Sequence, residues 1–261
     1  MSARRSAHLN VMIETAEKAG RALTRDFGEV EQLQVSKKGP GDFVSAADYK
    51  SEKIIYETLL KARPKYGFLF EEKGEIKGED ATYRWVVDPL DGTTNFLHGL
   101  PHWCISIALE KNNEIVSAVI HDPIKNETFT AEKGMGAFSN SKRLRVTNKQ
   151  SFEESFVSVG DNHLISLFPS SAKTRSMGSG CLDLAYIAAG RFDAYCRESK
   201  MQAWDKAAGT LLVKEAGGTV SEIDGGKNAV YGKGIVAANA YLHAELIKKL
   251  KQKEGLTKVA N

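Results

Sequence analysis

The chain has 261 residues, of which 42% are hydrophobic and 26% charged, proportions that are typical of an ordinary folded globular protein. Its formal net charge of +3 is too small to indicate nucleic acid as the main ligand. The cysteines are odd in number and far apart in the sequence, so neither a disulfide framework nor a zinc site is expected, and a reducing compartment fits.

Targeting and membrane signals are weak in this sequence. The N-terminal segment lacks the apolar core of a signal peptide, and no uninterrupted apolar run approaches the length of a membrane span. We therefore expect a cytoplasmic protein with no membrane partner. We interpret residues 1–261 as a single unit with an N-terminal α+β half (about 1–150) and a C-terminal α/β half (about 151–261).

The first predicted element is an amphipathic helix over 6–27, where apolar residues recur at three- and four-residue steps. A short strand is expected at 31–36, followed by a loop rich in glycine, proline and charge at 37–42. A second helix is predicted over 45–63 and ends before a proline. Asp48 would lie in its first turn, where the helix dipole alone is enough to explain a carboxylate.

The next two predicted strands both end in acidic residues. The strand at 67–70 leads directly into Glu71 and Glu72 and is followed by a charged loop at 73–82. The strand at 85–87 leads into the sequence DPLDGTTN. Each strand reads as a short buried apolar run.

The remainder of the chain mixes strands and helices. Alternating polarity over 103–147 predicts a meandering antiparallel sheet. Beyond it we predict helices at 178–190, 204–218 and about 240–253, and strands at 155–160, 191–198, 218–223 and 234–238. The predicted fold class is therefore α+β, arranged in layers.

The DPLDGTT turn concentrates groups that suit a metal and a phosphate. Asp88 and Asp91 offer carboxylate oxygens of the kind that Mg²⁺ or Ca²⁺ prefers. The backbone amides of Gly92 and Thr93, at the start of a helix, suit an oxyanion. A plain surface turn is the alternative, because Asp-Gly is a common turn sequence.

Further carboxylates favour the site over the turn. Glu71 and Glu72 end another such strand, and Asp205 begins a later helix. Carboxylates that follow buried strands are costly without partners. The pattern therefore points to a metal-assisted reaction on a phosphate.

Two stretches of the chain resemble the signatures of a known family. Residues 85–95 (WVVDPLDGTTN) closely resemble the first signature of the inositol monophosphatases, and residues 204–209 (WDKAAG) resemble their second. Glu71-Glu72 matches the acidic pair that this family places upstream. The resemblance covers nearly the whole chain in order and spacing, and is strongest to the bacterial inositol-1-monophosphatase branch. It implies the layered α/β/α/β/α sandwich shared with the fructose-1,6-bisphosphatase superfamily.

The resemblance also implies a set of metal ligands. Glu71, Asp88 and the backbone carbonyl of Leu90 would hold one Mg²⁺. Asp88, Asp91 and Asp205 would hold a second, with Asp88 bridging the two ions. A third, weaker ion near Glu71 is implied as well, so two or three ions are expected in each active site.

The remaining implied roles concern water and substrate. Thr93 and Asp48 would position and deprotonate the attacking water, and Glu72 would support the metal-bound waters. The amides of Gly92 and Thr93 would hold the phosphate, and Lys37 would lie on a loop that closes toward the site. The implied contacts to the leaving group are Gly178, Ser179, Gly180 and Glu198, with Asp91 and Asp205 also in reach.

Plainer interpretations exist for some of these residues. Gly178-Ser179-Gly180 also fits the start of a tightly packed helix, and Glu198 also fits a surface charge at a strand end. His98, His102 and His121 lack the spacing of a ligand set, so we interpret them as structural.

The chain departs from the family pattern in two places. After Glu198 the sequence reads Ser199-Lys200-Met201-Gln202 where the family has an apolar residue, a glycine and another apolar residue. The connection between residues 160 and 175 is shorter than the family norm by roughly a dozen residues. Both departures bear on the substrate pocket.

The implied function is a Mg²⁺-dependent phosphomonoesterase that converts myo-inositol-1-phosphate to inositol and phosphate by direct attack of water, with sensitivity to Li⁺ and a homodimeric state. The alternatives are another small ester (fructose-1,6-bisphosphate, histidinol phosphate, 3′-phosphoadenosine-5′-phosphate or NADP) or a regulatory binding role with RNA or the transcription machinery. The sequence itself offers no feature that supports RNA polymerase as a partner.

Overall fold

A computed structural model of the chain describes residues 5–29, 35–39 and 42–259, with side chains described over 5–29 and 46–253. The α-helices in these ranges are α1 (Ala7–Phe27), α2 (Ala46–Ala62), α3 (Thr93–Leu97), α4 (Gly180–Ala188), α5 (Ala203–Glu215) and α6 (Ala240–Val259). A 3₁₀ helix covers Asn162–Leu167. The described part of the chain contains no helix with both the length and the apolar character needed to cross a membrane.

The strands form a hairpin and two larger sheets. The hairpin consists of β1 (Val35–Gly39) and β2 (Asp42–Ser45). The larger sheet contains β3 (Tyr66–Phe70), β4 (Gly74–Ile76), β5 (Asp80–Asp91), β6 (Cys104–Lys111), β7 (Glu114–Asp122), β8 (Glu127–Glu132), β9 (Gly136–Ser139) and β10 (Lys142–Arg143). The smaller sheet contains β11 (Phe156–Val159), β12 (Lys173–Arg175), β13 (Ala194–Arg197), β14 (Thr219–Ser221) and β15 (Ile235–Ala238).

The order of strands places β5 inside the larger sheet. That order is β10-β9-β8-β7-β6-β5-β3-β4. Pairing is antiparallel except between β3 and β5, which run parallel. Because parallel neighbours end at the same edge of a sheet, the acidic residues that follow β3 and those at the end of β5 meet there. The smaller sheet has the order β12-β11-β13-β15-β14.

Three hydrophobic cores hold five layers together, and one of these cores covers both faces of the α4/α5 layer. On one face of the larger sheet, Trp85 and Val87 pack with α1 and α2. On its other face, Val86 packs with α4, α5 and Tyr195 of the smaller sheet. Cys196, on the far face of the smaller sheet, packs with α6. The layers are therefore α1/α2, larger sheet, α4/α5, smaller sheet and α6, which confirms the predicted α/β/α/β/α sandwich.

Most predicted elements are confirmed, with ends that shift by a few residues. The meander predicted over 103–147 is the run from β6 to β10. The division near residue 150 stays a prediction, and the core around α4 and α5 joins residues from both halves.

Two predicted loops are wrong in part. The segment 73–82 contains β4 and the start of β5, because Gly74 (φ 72°) and the two residues after it pair antiparallel with β3 at the sheet edge. Such a short edge strand carries too few residues for alternation to show. Within the expected loop at 37–42, residues 37–39 and 42 belong to the β1–β2 hairpin, and 40–41 lie outside the described residues. Residues 31–34 of the expected strand and the side chain of Lys37 also lie outside them.

Candidate active site

An irregularity in β5 brings two carboxylates to one face of the sheet. Asp88 is paired with Ser106 and Asp91 with Cys104, so the register gains one residue on β5 between them. Side chains three residues apart on a regular strand point to opposite faces, whereas this bulge returns both to the same face. Val86 lies two residues before Asp88 and packs against the α4/α5 layer. Both carboxylates therefore face that layer.

Asp88 is a buried carboxyl group among other acids. Its side chain is 2% exposed, and its Oδ1 accepts a hydrogen bond of 3.0 Å from the backbone N–H of Leu90. Burial, followed by the charges of Glu71, Asp91 and Asp205, raises its pKa well above the ordinary value. A positively charged partner is needed to ionise such a carboxyl group near neutral pH. A bound cation meets this need.

Asp91 is held by the start of α4. Its Oδ2 accepts hydrogen bonds from the hydroxyl of Ser179 and, at 2.8 Å, from the backbone N–H of Cys181. The thiol of Cys104 donates to the same oxygen at 3.8 Å. Three donors on one oxygen fix the carboxylate in the core between the larger sheet and α4.

The two thiols beside Asp91 are poor candidates for metal ligands. The ligand atoms of Asp91, Cys104 and Cys181 lie within 4.8 Å of one another. Burial raises the pKa of the Cys104 thiol, and a hydrogen bond to Cys104 together with burial raises that of Cys181. A thiol must lose its proton to bind a metal. The neighbouring carboxylates, as hard oxygen donors, fit a cation better.

Asp205 enters the cluster from the first turn of α5. Its Oδ2 accepts a hydrogen bond of 2.7 Å from the backbone N–H of Gln202, which caps the helix and orients the carboxylate. Burial and the charge of Asp91 raise the pKa of Asp205 to about 6, although Arg197 and Lys206 act in the opposite direction. The predicted second signature therefore does bring its aspartate to Asp91.

Glu71 joins the cluster from the end of β3, and Glu72 follows it in the chain. Phe70 is paired with Val87, so Glu71 follows directly beside Asp88, whose pKa its charge raises. The backbone N–H of Glu72 donates a 3.0 Å hydrogen bond to Glu52. The acidic pair is thus fixed through its backbone by a residue of α2.

Helix α2 carries a buried polar stripe toward the site. Asp48, Ser51 and Glu52 are buried on the same stripe as Ile55 and Leu59. The hydroxyl of Ser51 donates a 2.8 Å hydrogen bond to the carbonyl of Pro89 in the β5 bulge. Sequence reasoning missed Ser51 and Glu52, although polar residues at the apolar positions of a helix are a signal that could have identified them.

The turn after Asp91 requires its glycine. Gly92 has φ 92°, and a Cβ at this position would lie 3.0 Å from the carbonyl oxygen of His102. Only glycine adopts this conformation readily. The hydroxyl of Thr93 turns back and donates a 2.9 Å hydrogen bond to the carbonyl of Leu90. The expected water-positioning hydroxyl and the expected carbonyl ligand are therefore direct neighbours.

The segment before α4 is fastened to this turn. The amide of Asn95 donates hydrogen bonds to the carbonyls of His102 at 2.8 Å and Met177 at 2.9 Å. Gly178 has φ 80°, and a Cβ there would lie 3.0 Å from the Asn95 amide. Gly180 has similarly little space, with the methyl group of Met201 3.0 Å from its hypothetical Cβ. These glycines and Ser179 are thus held next to Asp91.

Glu198 is placed differently from the other expected site residues. Its side chain is 50% exposed, and its Oε2 lies 2.6 Å from Nε2 of His163 in the 3₁₀ helix. Its backbone N–H donates a 2.7 Å hydrogen bond to Asp161. These contacts join Glu198 to the 160–175 connection, on the protein surface.

The donor set of the cluster fits a hard divalent cation. Four carboxylates approach one another from three elements of the fold, β3, β5 and α5: Glu71, Asp88, Asp91 and Asp205. Burial first, and then the charges of neighbouring carboxylates, raise the pKa values of Asp88 and Asp205, and a bound cation would oppose both effects. Oxygen ligands in this number suit Mg²⁺.

A family model agrees with this arrangement. The model described as the inositol monophosphatase family matches residues 5–254 of the chain. The match includes every element that supplies a side chain to the cluster.

Individual relatives cover nearly the whole chain. The protein named inositol-1-monophosphatase of Mesorhizobium japonicum is 50% identical over 260 residues, which is 95% of this chain and 97% of the relative. The Nus factor SuhB of Escherichia coli K12 is 40% identical over 88% of this chain and 91% of the relative. The crystal structure of the extragenic suppressor protein suhB of Bartonella henselae has a TM-score of 0.90, with 49% identity over 94% of this chain and 99% of that chain.

Proposed function

This chain belongs to the inositol monophosphatase family, and we propose that it is a Mg²⁺-dependent phosphomonoesterase that hydrolyses myo-inositol-1-phosphate to inositol and phosphate. The observation that carries the proposal is the buried carboxylate of Asp88, surrounded by the charges of Glu71, Asp91 and Asp205. Such a concentration of acid is unfavourable in the interior without cations. The name shared by relatives at about 50% identity supports the choice of substrate.

The resemblance to the family implies which residues would hold the metal ions. Glu71, Asp88 and the carbonyl of Leu90 would hold one ion, and Asp88, Asp91 and Asp205 a second, with a weaker third ion near Glu71. Bound Mg²⁺ would supply charge neutralisation for the phosphate and a lower pKa for water. Glu72, whose backbone is fixed by Glu52 at 3.0 Å, would support the hydration of these ions.

Residues of the chain itself would orient water and phosphate. Asp48 is 2% exposed in the first turn of α2 and would accept the proton of the attacking water. The hydroxyl of Thr93 lies beside the carbonyl of Leu90, from where it would hold the same water. The amides of Gly92 and Thr93 would bind the phosphate oxygens. Attack on phosphorus would be direct, without a phosphoenzyme.

The leaving group would lie between β5 and the starts of α4 and α5. Ser179 and Gly180 line this region next to Asp91, and Gly178 positions them. Asp91 and Asp205 would also approach the hydroxyl groups of the inositol. Glu198, expected from the sequence to complete the contacts, is turned to the surface.

Phosphate release from a panel of esters tests the proposal. The panel contains myo-inositol-1-phosphate, fructose-1,6-bisphosphate, histidinol phosphate, 3′-phosphoadenosine-5′-phosphate and NADP, with Mg²⁺ varied. We expect Mg²⁺-dependent turnover that is highest with the inositol ester, and a loss of at least about 100-fold in kcat for Asp91→Asn.

A matched control separates loss of the site from loss of the fold. Asp26→Asn removes a carboxylate that pairs with Lys50 at 2.7 Å on the outer helices, and should leave the rate nearly unchanged. Full activity of Asp91→Asn, or no release from any ester at saturating Mg²⁺, would contradict the proposal.

A second candidate function comes from the relative named Nus factor SuhB, which is 40% identical over 88% of this chain. It is a regulatory binding role with the transcription machinery. Capture of purified RNA polymerase by the Asp88→Asn variant as well as by the wild type would support such a role independently of catalysis. Absence of capture by both would remove it.

The finer properties of the enzyme belong to the same proposal. We propose a cytoplasmic homodimer whose hydrolysis of the inositol ester is inhibited by Li⁺. Relatives named inositol-1-monophosphatase support the assignment of the reaction on which this inhibition depends. Sedimentation of the purified chain and a Li⁺ titration of its activity test the two solution properties.

A further inference from the structure

We propose that Arg197, and not Glu198, lines the leaving-group side of the active site, where its guanidinium binds a second anionic group and so allows the enzyme to accept, beside the inositol ester, phosphate esters that carry such a group. This inference rests on the proposed phosphatase function and adds a substrate class to that same site.

The alternation of β13 decides which residue faces the site. Ala194 and Cys196 pack into the core with α6, whereas Tyr195 packs into the core with α4 and α5. Because successive side chains on a strand point to opposite faces, Arg197 leaves the strand on the side of Tyr195. The hydroxyl of Tyr195 lies 3.5 Å from the hypothetical Cβ of Gly180, at the start of α4. The face that Arg197 shares is therefore the face of the proposed substrate contacts.

Local packing holds the arginine on this face. A Cβ at Gly160 would lie 2.4 Å from Cγ of Arg197, so the aliphatic part of the side chain uses the space that glycine leaves. Its Nε donates a 2.8 Å hydrogen bond to the hydroxyl of Ser199. Ser199 is one of the residues in which the chain departs from its family. The side chain is half-buried and positioned rather than free in solvent.

The charge of Arg197 acts on the acidic cluster without closing an ion pair with it. Burial opposes ionisation of the guanidinium, but Tyr195, Asp205 and Asp91 together outweigh it and raise the pKa of Arg197. Arg197 in turn acts to lower the pKa of Asp205. Among the described side chains, ion pairs within 4.0 Å do not include Arg197.

A guanidinium in this position favours an anionic ligand. Its planar donors match a carboxylate or a phosphate in a two-point contact, which is stronger than a contact with a neutral hydroxyl. Cations held by the four carboxylates would balance their charge and leave the guanidinium as the positive group on the leaving-group side. The second negative charge of such an ester would form an ion pair with this guanidinium.

The contacts of Glu198 exclude it from the same place. Asp161 accepts hydrogen bonds from the backbone N–H groups of Glu198 at 2.7 Å and Ser199 at 2.9 Å. This turn directs the Glu198 side chain to His163, 2.6 Å away on the protein surface. The acidic residue that the sequence places seven positions before Asp205 is thus replaced at the site by its basic neighbour.

Two esters that differ in one group test the inference. Glycerol 1-phosphate and 3-phosphoglycerate of the same configuration differ only in a terminal hydroxymethyl or carboxylate group. We expect Arg197→Met, which keeps the packed stem, to lower the preference in kcat/KM for the carboxylate ester by roughly 10-fold through KM. Arg197→Lys should retain part of the preference. Glu198→Gln, at the adjacent position, should change it by less than about twofold.

Each outcome decides between Arg197 and its alternatives. If Arg197→Met lowers kcat/KM equally for both esters, the arginine only balances the charge of the cluster. If only Glu198→Gln loses the preference for the carboxylate ester, the glutamate belongs to the site. Either result overturns the inference. If the wild type hydrolyses neither of these esters, the panel with the inositol ester decides on the proposed function, and calorimetric binding of 3-phosphoglycerate decides on the role of Arg197. Weaker binding to Arg197→Met supports the inference, and equal binding refutes it.

Discussion

Asp183 is a buried acid that belongs to α4 but not to the carboxylate cluster. It is 2% exposed, and its Oδ1 accepts a 2.8 Å hydrogen bond from the hydroxyl of Ser158. Burial raises its pKa to about 8, against the opposing effect of that hydrogen bond. The folded protein therefore holds a proton at Asp183 over a pH range in which the unfolded chain has released it.

The stability of the protein should fall as pH rises through this range. Below the ordinary pKa of 3.8, both states are protonated and the contribution of Asp183 is complete; between that value and about 8, it is lost progressively. We expect Asp183→Asn to remove this loss, so that its stability relative to the wild type increases by on the order of a few kcal/mol from pH 5 to pH 8. Urea unfolding at both pH values measures the difference. A pH-independent difference would contradict the assigned protonation.

At the same scale, the sequence was informative about residue types and less so about their orientation. Asp88, Asp91 and Asp205 could be assigned to one cluster because two signature stretches contain them. The direction of Glu198 could not be predicted, since it depends on the phase of β13 and on a partner, His163, that lies 35 positions away in the sequence. A change of one residue in the phase of a strand exchanges the two faces.

At the scale of elements, the site depends on the close approach of α4 and α5. A Cβ at Gly209 in α5 would lie 2.5 Å from the Cβ of Leu184 in α4, so the glycine allows the two helices to touch. Ser179 and Asp205, at the starts of these helices, meet Asp91 from both sides. The packing of two helices thus sets the geometry of one carboxylate group.

A methyl group at this contact should disturb both stability and catalysis. Gly209→Ala forces the helices apart, and we expect a loss of about 1–3 kcal/mol in the free energy of unfolding despite the better helix propensity of alanine. KM and kcat should both worsen, because Asp205 moves relative to Asp91. Gly28→Ala is the matched control, as its hypothetical Cβ approaches no atom closer than 3.4 Å. A stabilised and fully active Gly209→Ala variant would show that the contact between α4 and α5 has room for a methyl group and does not set the geometry of the site.

The order of the helices and strands was easier to predict than the irregularities in strand pairing. Periodicity identified α1, and a following proline marked the end of α2. Periodicity did not identify the edge strand β4 or the bulge in β5, since both are defined by a pairing register that local sequence does not contain. The register of strand pairing, including the bulge in β5, determines where the carboxylates meet.

At the scale of the molecule, the carboxylate cluster connects layers that fold from distant parts of the chain. Glu71 and Asp88 come from the larger sheet, and Asp205 comes from the helical layer between the sheets. Without cations these groups repel one another across the layer boundary. Ions that bind only the folded protein should therefore stabilise the whole molecule.

Mg²⁺ should raise the melting temperature in a single transition. At a concentration 100 times the dissociation constant, one site contributes about 2.7 kcal/mol, or about 5–10 °C for a domain of this size. Asp88→Asn removes the expected bridging ligand and a carboxyl group that must hold a proton to stay buried without cations, so it should melt above the wild type in EDTA and gain much less from Mg²⁺. Calorimetric scans of both proteins with and without Mg²⁺ measure these shifts. An equal gain in both would place the ions elsewhere.

The link between Glu52 and the acidic pair makes ion affinity adjustable from a position that is not a ligand. Glu52 is fully buried, accepts the N–H groups of Glu72 at 3.0 Å and Lys73 at 3.3 Å, and pairs with the Lys73 ammonium. Natural variation at this residue would displace the Glu71 carboxylate while leaving its chemistry intact. On the proposed function, evolution would thereby have a route to adjust the affinity for the ions without exchanging any of their proposed ligands.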